Sequence, residues 1–120
     1  MGVNKKNIAQ ASKFFFDEFV THNHIYKTVG FFRRTPGGYL LMLNIMHHYF
    51  LDKDLHIEEL LETVPNNIVS RLSLISYIDD ATQEGILLKA NSKSDKRKKT
   101  IKPTDKFIKE YLEWMTKLKT

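Results

Sequence analysis

The residues of this chain best equipped for chemistry are its cations, and they are unevenly spread. Between Ile86 and Lys106 stand eight basic residues, Lys89, Lys93, Lys96, Arg97, Lys98, Lys99, Lys102 and Lys106, against Asp95 and Asp105. More than the whole net charge of +5 is therefore held in that segment. Cationic side chains spaced this closely are what neutralising a row of phosphates requires. A solvated loop has the same composition, and charge alone does not separate the two readings.

The other polar residues point to less. Of the five histidines, His22 and His24 face different directions on a helix, as do His47 and His48, and neither pair has the i, i+4 spacing of a helical metal site. Asp52, Asp54, Glu58 and Glu59 fit a loop and the acidic first turn of a helix better than a catalytic pair. No nucleophile motif or His-Glu-x-x-His is present, and Gly37-Gly38 lacks the following Lys-Ser or Lys-Thr of a phosphate loop. We therefore expect no catalytic residue, no metal ligand and no cofactor, and a protein that is not an enzyme.

The frame that must position the cations is a single domain over residues 1–120. A chain of 120 residues that is 42% hydrophobic can bury a modest core without covalent staples. Cysteine is absent, which excludes disulfides, thiol nucleophiles and thiolate zinc, and fits a reducing cytoplasm. No run approaches the roughly 20 consecutive apolar residues that span a bilayer, so a membrane is not an expected partner.

Along the chain, Ile8, Phe15, Phe19 and Tyr26 recur at helical intervals over residues 7–29, with a weakening at Thr21 to His24 that leaves room for a break or a bend. Thr35-Pro36 opens a second helix, since threonine caps and proline suits the first helical position. A short amphipathic helix over His56 to Thr63 precedes the turn Pro65-Asn66-Asn67. Ser70 caps a helix that runs to about Glu84 and closes on Gly85, with Leu74, Ile78 and Ala81 on one face. Ile86 to Lys89 and Thr100 to Lys102 read as strands flanking the basic loop, and Thr104 opens a last helix striped with Phe107, Tyr111, Met115 and Leu118.

This order predicts a mainly α fold with a small β-hairpin wing (α+β): a winged helix-turn-helix with N- and C-terminal dimerisation helices. The helix-turn-helix would occupy 55–84, the wing 86–102 and the terminal helices 7–29 and 104–119. In such an arrangement the second helix of the pair enters the major groove, about 12 Å wide, and presents its first residues to base edges. With Leu74, Ile78 and Ala81 turned inward, Ser70, Arg71, Ser73, Ser76, Tyr77 and Asp80 fall on or near the outward side. Arg71 suits a bidentate contact to guanine, and the serines suit bases or phosphates.

At this point the chain resembles the MarR family of winged-helix regulators. Val69-Ser70-Arg71, Leu74, Ile78-Asp79, Ala81 and Gly85-Ile86 stand at the intervals of that family's recognition helix and following strand. Asp95-Lys96-Arg97 matches the Asp-x-Arg of its wing, and Thr104-Asp105-Lys106 the threonine that opens its next helix. The resemblance covers roughly Tyr39 to Leu118 and implies a dimeric, sequence-specific transcriptional regulator of double-stranded DNA. It further implies that Arg97 enters the minor groove, that Asp95 orients it, and that the terminal helices form the dimer interface. An arginine in a narrow A·T-rich minor groove sits in enhanced negative potential. Lys93, Lys96, Lys98 and Lys99 would then neutralise flanking phosphates.

The terminal helices carry more large apolar side chains than a core of this size readily encloses. Each such side chain is worth roughly 1.5–3 kcal/mol when buried, so Phe15, Phe16, Phe19, Tyr111, Trp114, Met115 and Leu118 are expected in a homodimer interface. The resemblance admits a small-molecule effector, but no polar constellation indicates one. Asp79, Asp80 and Glu84 oppose Arg71 on the recognition helix, and Leu72 stands beside it. These sustain a second reading, a winged-helix module that holds a protein or RNA without reading DNA sequence.

Overall fold

A computed structural model describes residues 2–92 and 97–119. The chain opens with α1, Lys5–Ile25, whose first turn is capped by the Asn4 side chain accepting from the Asn7 N–H at 3.1 Å. The helical stretch read over residues 7–29 is two helices, broken just after the weakening at Thr21 to His24. The backbone leaves the helical region at Tyr26 (φ −101°, ψ 84°) and restarts as α2, Lys27–Phe32. Tertiary contacts explain the restart. Tyr26 is buried in the core, and the Glu110 carboxylate accepts from both the N–H and the hydroxyl of Thr28, at 3.0 and 2.9 Å. A first-turn donor that a continuous helix would have paired internally is thus satisfied from a distant element.

Helix α3, Pro36–Phe50, begins as its sequence signals: Thr35 Oγ1 accepts from the Gly38 N–H at 3.0 Å, and proline takes the first turn. It is the central helix, with Leu41, Met42, Ile45 and Met46 buried. A two-residue strand, β1 (Leu55–His56), leads into α4 (Ile57–Thr63), and the turn that follows delivers α5 (Arg71–Gln83). Ser70 caps α5 by accepting from the Ser73 N–H at 3.1 Å, and Gly85 closes it with φ +76°, a backbone region that glycine enters without steric cost.

Strands β2 (Leu87–Asn91) and β3 (Lys99–Pro103) form the expected hairpin, two residues longer in its second arm than the sequence signalled. The sheet also has a third strand that the sequence does not announce. β1 pairs antiparallel with β3, giving the order β1-β3-β2, with Leu55 opposite Ile101 and Ile101 opposite Lys89. Two residues carry no period, so only the pairing reveals β1. The Thr104 N–H and hydroxyl both donate to the Ile86 carbonyl, at 3.0 and 3.1 Å, fixing the start of α6 (Asp105–Lys119) beside the strand that leaves α5.

Two packed features tie the terminal helices to this body. One is an aromatic column in which Phe32 stacks between Tyr77 and Phe107, with centroids 5.8 and 5.1 Å away, so that α2, α5 and α6 share one seam. Gly38 lies against it: a β-carbon there would come within 2.5 Å of the Tyr77 ring and 2.4 Å of the Phe32 carbonyl. The other is a buried ionic cluster. Glu18 of α1 receives both terminal nitrogens of Arg33, at 2.6 and 2.7 Å, and the Trp114 indole N–H at 2.6 Å. The N-terminal part of α1 stands away from the body, in a molecule whose extents are 57 × 31 × 24 Å. No helix among the described residues is long and apolar enough to cross a membrane.

Candidate nucleic-acid interface

The surface most suited to a nucleic acid is the outward face of α5 together with the root of the hairpin. Because Leu74, Ile78 and Ala81 are buried, the helical period leaves Arg71, Leu72, Ser73, Ser76, Asp79 and Asp80 exposed. Each residue expected at this face has a definite place. Ser70 is exposed and serves as the cap, and its hydroxyl also bonds the Ser73 hydroxyl at 2.9 Å. Arg71 is exposed, but one of its terminal nitrogens is held by the Glu58 carboxylate of α4 at 2.6 Å. Ser76 is exposed and carries no such tie among the described residues.

Tyr77 is tied down at the edge of this face. Its hydroxyl donates to the Phe31 carbonyl and its ring is stacked on Phe32, so it fixes α5 to α2 while lining the same open cleft as the serines. The helical period placed it at the edge of the outward face, and an aromatic seam with α2 claimed it. Leu72 is 78% exposed, a large apolar side chain held in the open at the start of the helix.

On the hairpin, Arg97, Lys98 and Lys99 are exposed, and Lys99 Nζ donates to the Asn91 side chain at 2.7 Å across the two strands. Lys93, Asp95 and Lys96, the remaining wing residues of the sequence reading, lie outside the described residues. The basic wing root does not stand alone. Arg97, Lys98 and Lys99 line an open cleft of about 390 Å³ together with Glu58, Glu59 and Glu62 of α4. The same acidic helix thus borders the wing and holds Arg71.

The expected interface residues divide into two groups. Phe15 and Phe16 are 66% and 65% exposed, and Phe19 is also exposed, covered in part by the Arg33 guanidinium 4.6 Å from its ring centroid. Tyr111 and Trp114, by contrast, are 7% and 2% exposed and belong to the core of their own chain. Met115 and Leu118 are half-buried against that core. The apolar excess of the terminal helices is therefore absorbed on α6 and left open on α1.

Three relations of this surface had no signal in the sequence. Glu58 pairs with Arg71 across 13 residues, and Lys89 of β2 pairs with Asp79 of α5. Arg34, in the turn between α2 and α3, lines an open cleft of about 450 Å³ with Leu72, Ser73, Ser76, Tyr77 and Asp80. All three relations are tertiary, and periodicity does not encode them.

No protein-family model matches the chain, and no curated protein matches it. Solved structures do. The heme sensor protein PefR from Streptococcus agalactiae, in complex with heme, aligns over 98% of this chain and 77% of its own, at 20% identity and a TM-score of 0.54. The transcriptional regulator Tm0710 from Thermotoga maritima aligns over 94% of this chain and 72% of its own, at 13% identity and a TM-score of 0.56. YusO from Bacillus subtilis aligns over 92% of this chain and 72% of its own, at 14% identity and a TM-score of 0.54. With the three-stranded wing sheet and the six helices of the described residues in this order, the chain has a MarR-like winged-helix fold.

Proposed function

We propose that this protein is a dimeric, sequence-specific DNA-binding transcriptional regulator, in which α5 enters the major groove and the hairpin reaches the adjacent minor groove. The observation that carries this reading is the open outward face of α5: Arg71, Leu72, Ser73 and Ser76 are exposed at the N-terminal half of a well-capped helix beside a basic hairpin. That is the end of a recognition helix that meets base edges. Arg71 and the serines supply the direct contacts, and Lys98 and Lys99 the phosphate contacts, with Lys93 and Lys96 in the same role and Arg97 in the minor groove oriented by Asp95. Two-fold pairing through Phe15, Phe16 and Phe19 of α1 buries the open aromatic face and sets two α5 helices against a pseudo-palindromic site. The reading places the protein among regulators and not among enzymes.

Selection of bound duplexes from a random DNA pool tests this reading. A regulator enriches a two-fold related sequence and loses affinity steeply as salt rises, because binding releases counterions from the phosphates it neutralises. Recovery of no enriched sequence, with flat salt dependence, rejects it.

A second reading has its own support. Leu72 is open to solvent, and Asp79, Asp80 and Glu84 make the far half of α5 acidic, which suits a protein partner better than a phosphate backbone. The same selection separates the two. As for an effector, PefR holds heme; here the cleft of about 460 Å³ under α1, lined by Phe19, Arg33, Arg34, Thr35, Pro36 and Tyr39, offers aromatic walls and the exposed Arg34 guanidinium to a small anionic molecule.

A further inference from the structure

Arg34 is outside the DNA contacts assigned above, and its surroundings give it a role. It lies on an exposed turn, yet it is held: its Nε donates to the Phe31 carbonyl at 2.9 Å, and its guanidinium sits 4.2 Å from the Phe31 ring centroid and 5.4 Å from that of Tyr77. Tyr77 of α5 donates to the same carbonyl. One backbone oxygen therefore registers both the guanidinium and the recognition helix, so Arg34 moves with α5 although it belongs to another part of the chain. Its charge is also uncommitted. Arg33 is bound to Glu18 and Arg71 to Glu58, whereas no carboxylate pairs with Arg34 among the described residues.

The position is specific. At 3.6 residues per turn, Ser73, Tyr77 and Asp80 define one flank of α5, and Arg34 stands on that side of the open cleft. The ion pairs of Arg71 with Glu58 and of Asp79 with Lys89 mark the other flank, towards α4 and the hairpin. A helix seated in a major groove has a sugar–phosphate strand on each side. The hairpin flank has its cations in Lys98 and Lys99, and the opposite flank has Arg34. A planar guanidinium with its terminal nitrogens available, fixed by stacking, is the group best matched to a phosphate's paired oxygens.

We propose that Arg34 is a phosphate clamp that grips the DNA strand on the side of α5 away from the wing, holding the recognition helix in the groove from both walls. The proposal rests on the DNA-binding reading given above and names a contact that this reading lacks. Leu72, in the same cleft, then lies between the clamped strand and the bases and meets a thymine methyl, the apolar feature of the major groove.

Fluorescence anisotropy titrations of the full chain over a salt series test it, with a duplex recovered from the random pool and an unrelated random-sequence duplex as probes. Arg34→Gln is expected to bind both duplexes about tenfold more weakly and to lower the slope of log affinity against log salt by about one per protomer. Arg34→Lys, which keeps the charge, restores most of that slope, and thermal melting of the variants stays close to that of the parent. Unchanged affinity and slope in Arg34→Gln overturn the clamp. So does a loss of affinity with an unaltered slope that lysine does not rescue, which marks a packing role. If the unaltered chain shows no salt-dependent binding to either duplex, the DNA-binding reading itself falls and the clamp with it, and that outcome is distinct because it precedes any mutation.

Discussion

The indole N–H of Trp114 reaches the Glu18 carboxylate at 2.6 Å, joining residues 96 positions apart and fastening the base of α1 to the last helix. Burial by itself raises the affinity of Glu18 for a proton. Hydrogen bonds from Arg33 and Trp114, the Arg33 charge and a contact from His22 outweigh it and hold the pKa at about 2, below the ordinary 4.5. A carboxyl group depressed on folding contributes stability that is complete above its unfolded value and disappears as the pH falls through the folded one. Thermal melting should therefore show a loss of stability between pH 4.5 and about 2 that Glu18→Gln does not show. At neutral pH Glu18→Gln should cost about 3 kcal/mol, because it leaves the nearly buried Arg33 charge uncompensated. A variant as stable as the parent would mean that the cluster contributes nothing net.

The aromatic residues of the two terminal helices should respond in opposite ways. Phe16→Asp places a charge on the open face of α1 and is expected to yield a monomer in sedimentation while the circular dichroism spectrum keeps its helical content. Trp114→Ala removes a core side chain and its hydrogen bond to Glu18, with a destabilisation of about 3–5 kcal/mol by denaturant titration. A Phe16→Asp protein that sediments as the parent does would move the dimer interface off α1.

Glu58 competes with DNA for Arg71. Glu58→Gln is expected to raise duplex affinity about two- to fivefold, since an exposed pair holds its partner only weakly, while Arg71→Ala lowers it. Equal affinity in Glu58→Gln and parent, measured at low salt, would place Arg71 away from the bound duplex.

The hairpin cations are distinguishable by their salt dependence. Lys98→Ala and Lys99→Ala should each reduce the salt slope by about one and weaken binding to all sequences alike. Arg97→Ala should weaken binding most to duplexes with an A·T-rich flank, where the minor groove is narrow. If all three variants lost affinity equally on every duplex, no minor-groove reading by Arg97 would remain.

Much of this was legible from sequence because the signals were local. Thr35-Pro36, Ser70 and Gly85 mark helix boundaries through the chemistry of their own side chains or φ angles, and the structure places the boundaries there. The inward face of α5 followed from the period of Leu74, Ile78 and Ala81. What escaped was decided at a distance. Tyr26 ends α1 in a packed core, Glu110 restarts the chain as α2, and Tyr77 is tied to the Phe31 carbonyl at the edge of the outward face. Trp114 and Phe16 look alike as apolar residues on terminal helices, and only the fold tells that one is enclosed and the other open.

The short strand β1 has a mechanical meaning. By pairing Leu55 and His56 with Ile101 and Thr100, it hitches the chain entering α4 to the same strand that carries the hairpin. Through β3 and β1, the root of the wing is coupled to the helix whose Glu58 holds Arg71. Helix pair and hairpin root are in that sense one tool. In the proposed dimer, a signal arriving at the α1 stalks would alter the spacing and angle between two such tools and leave the shape of each intact.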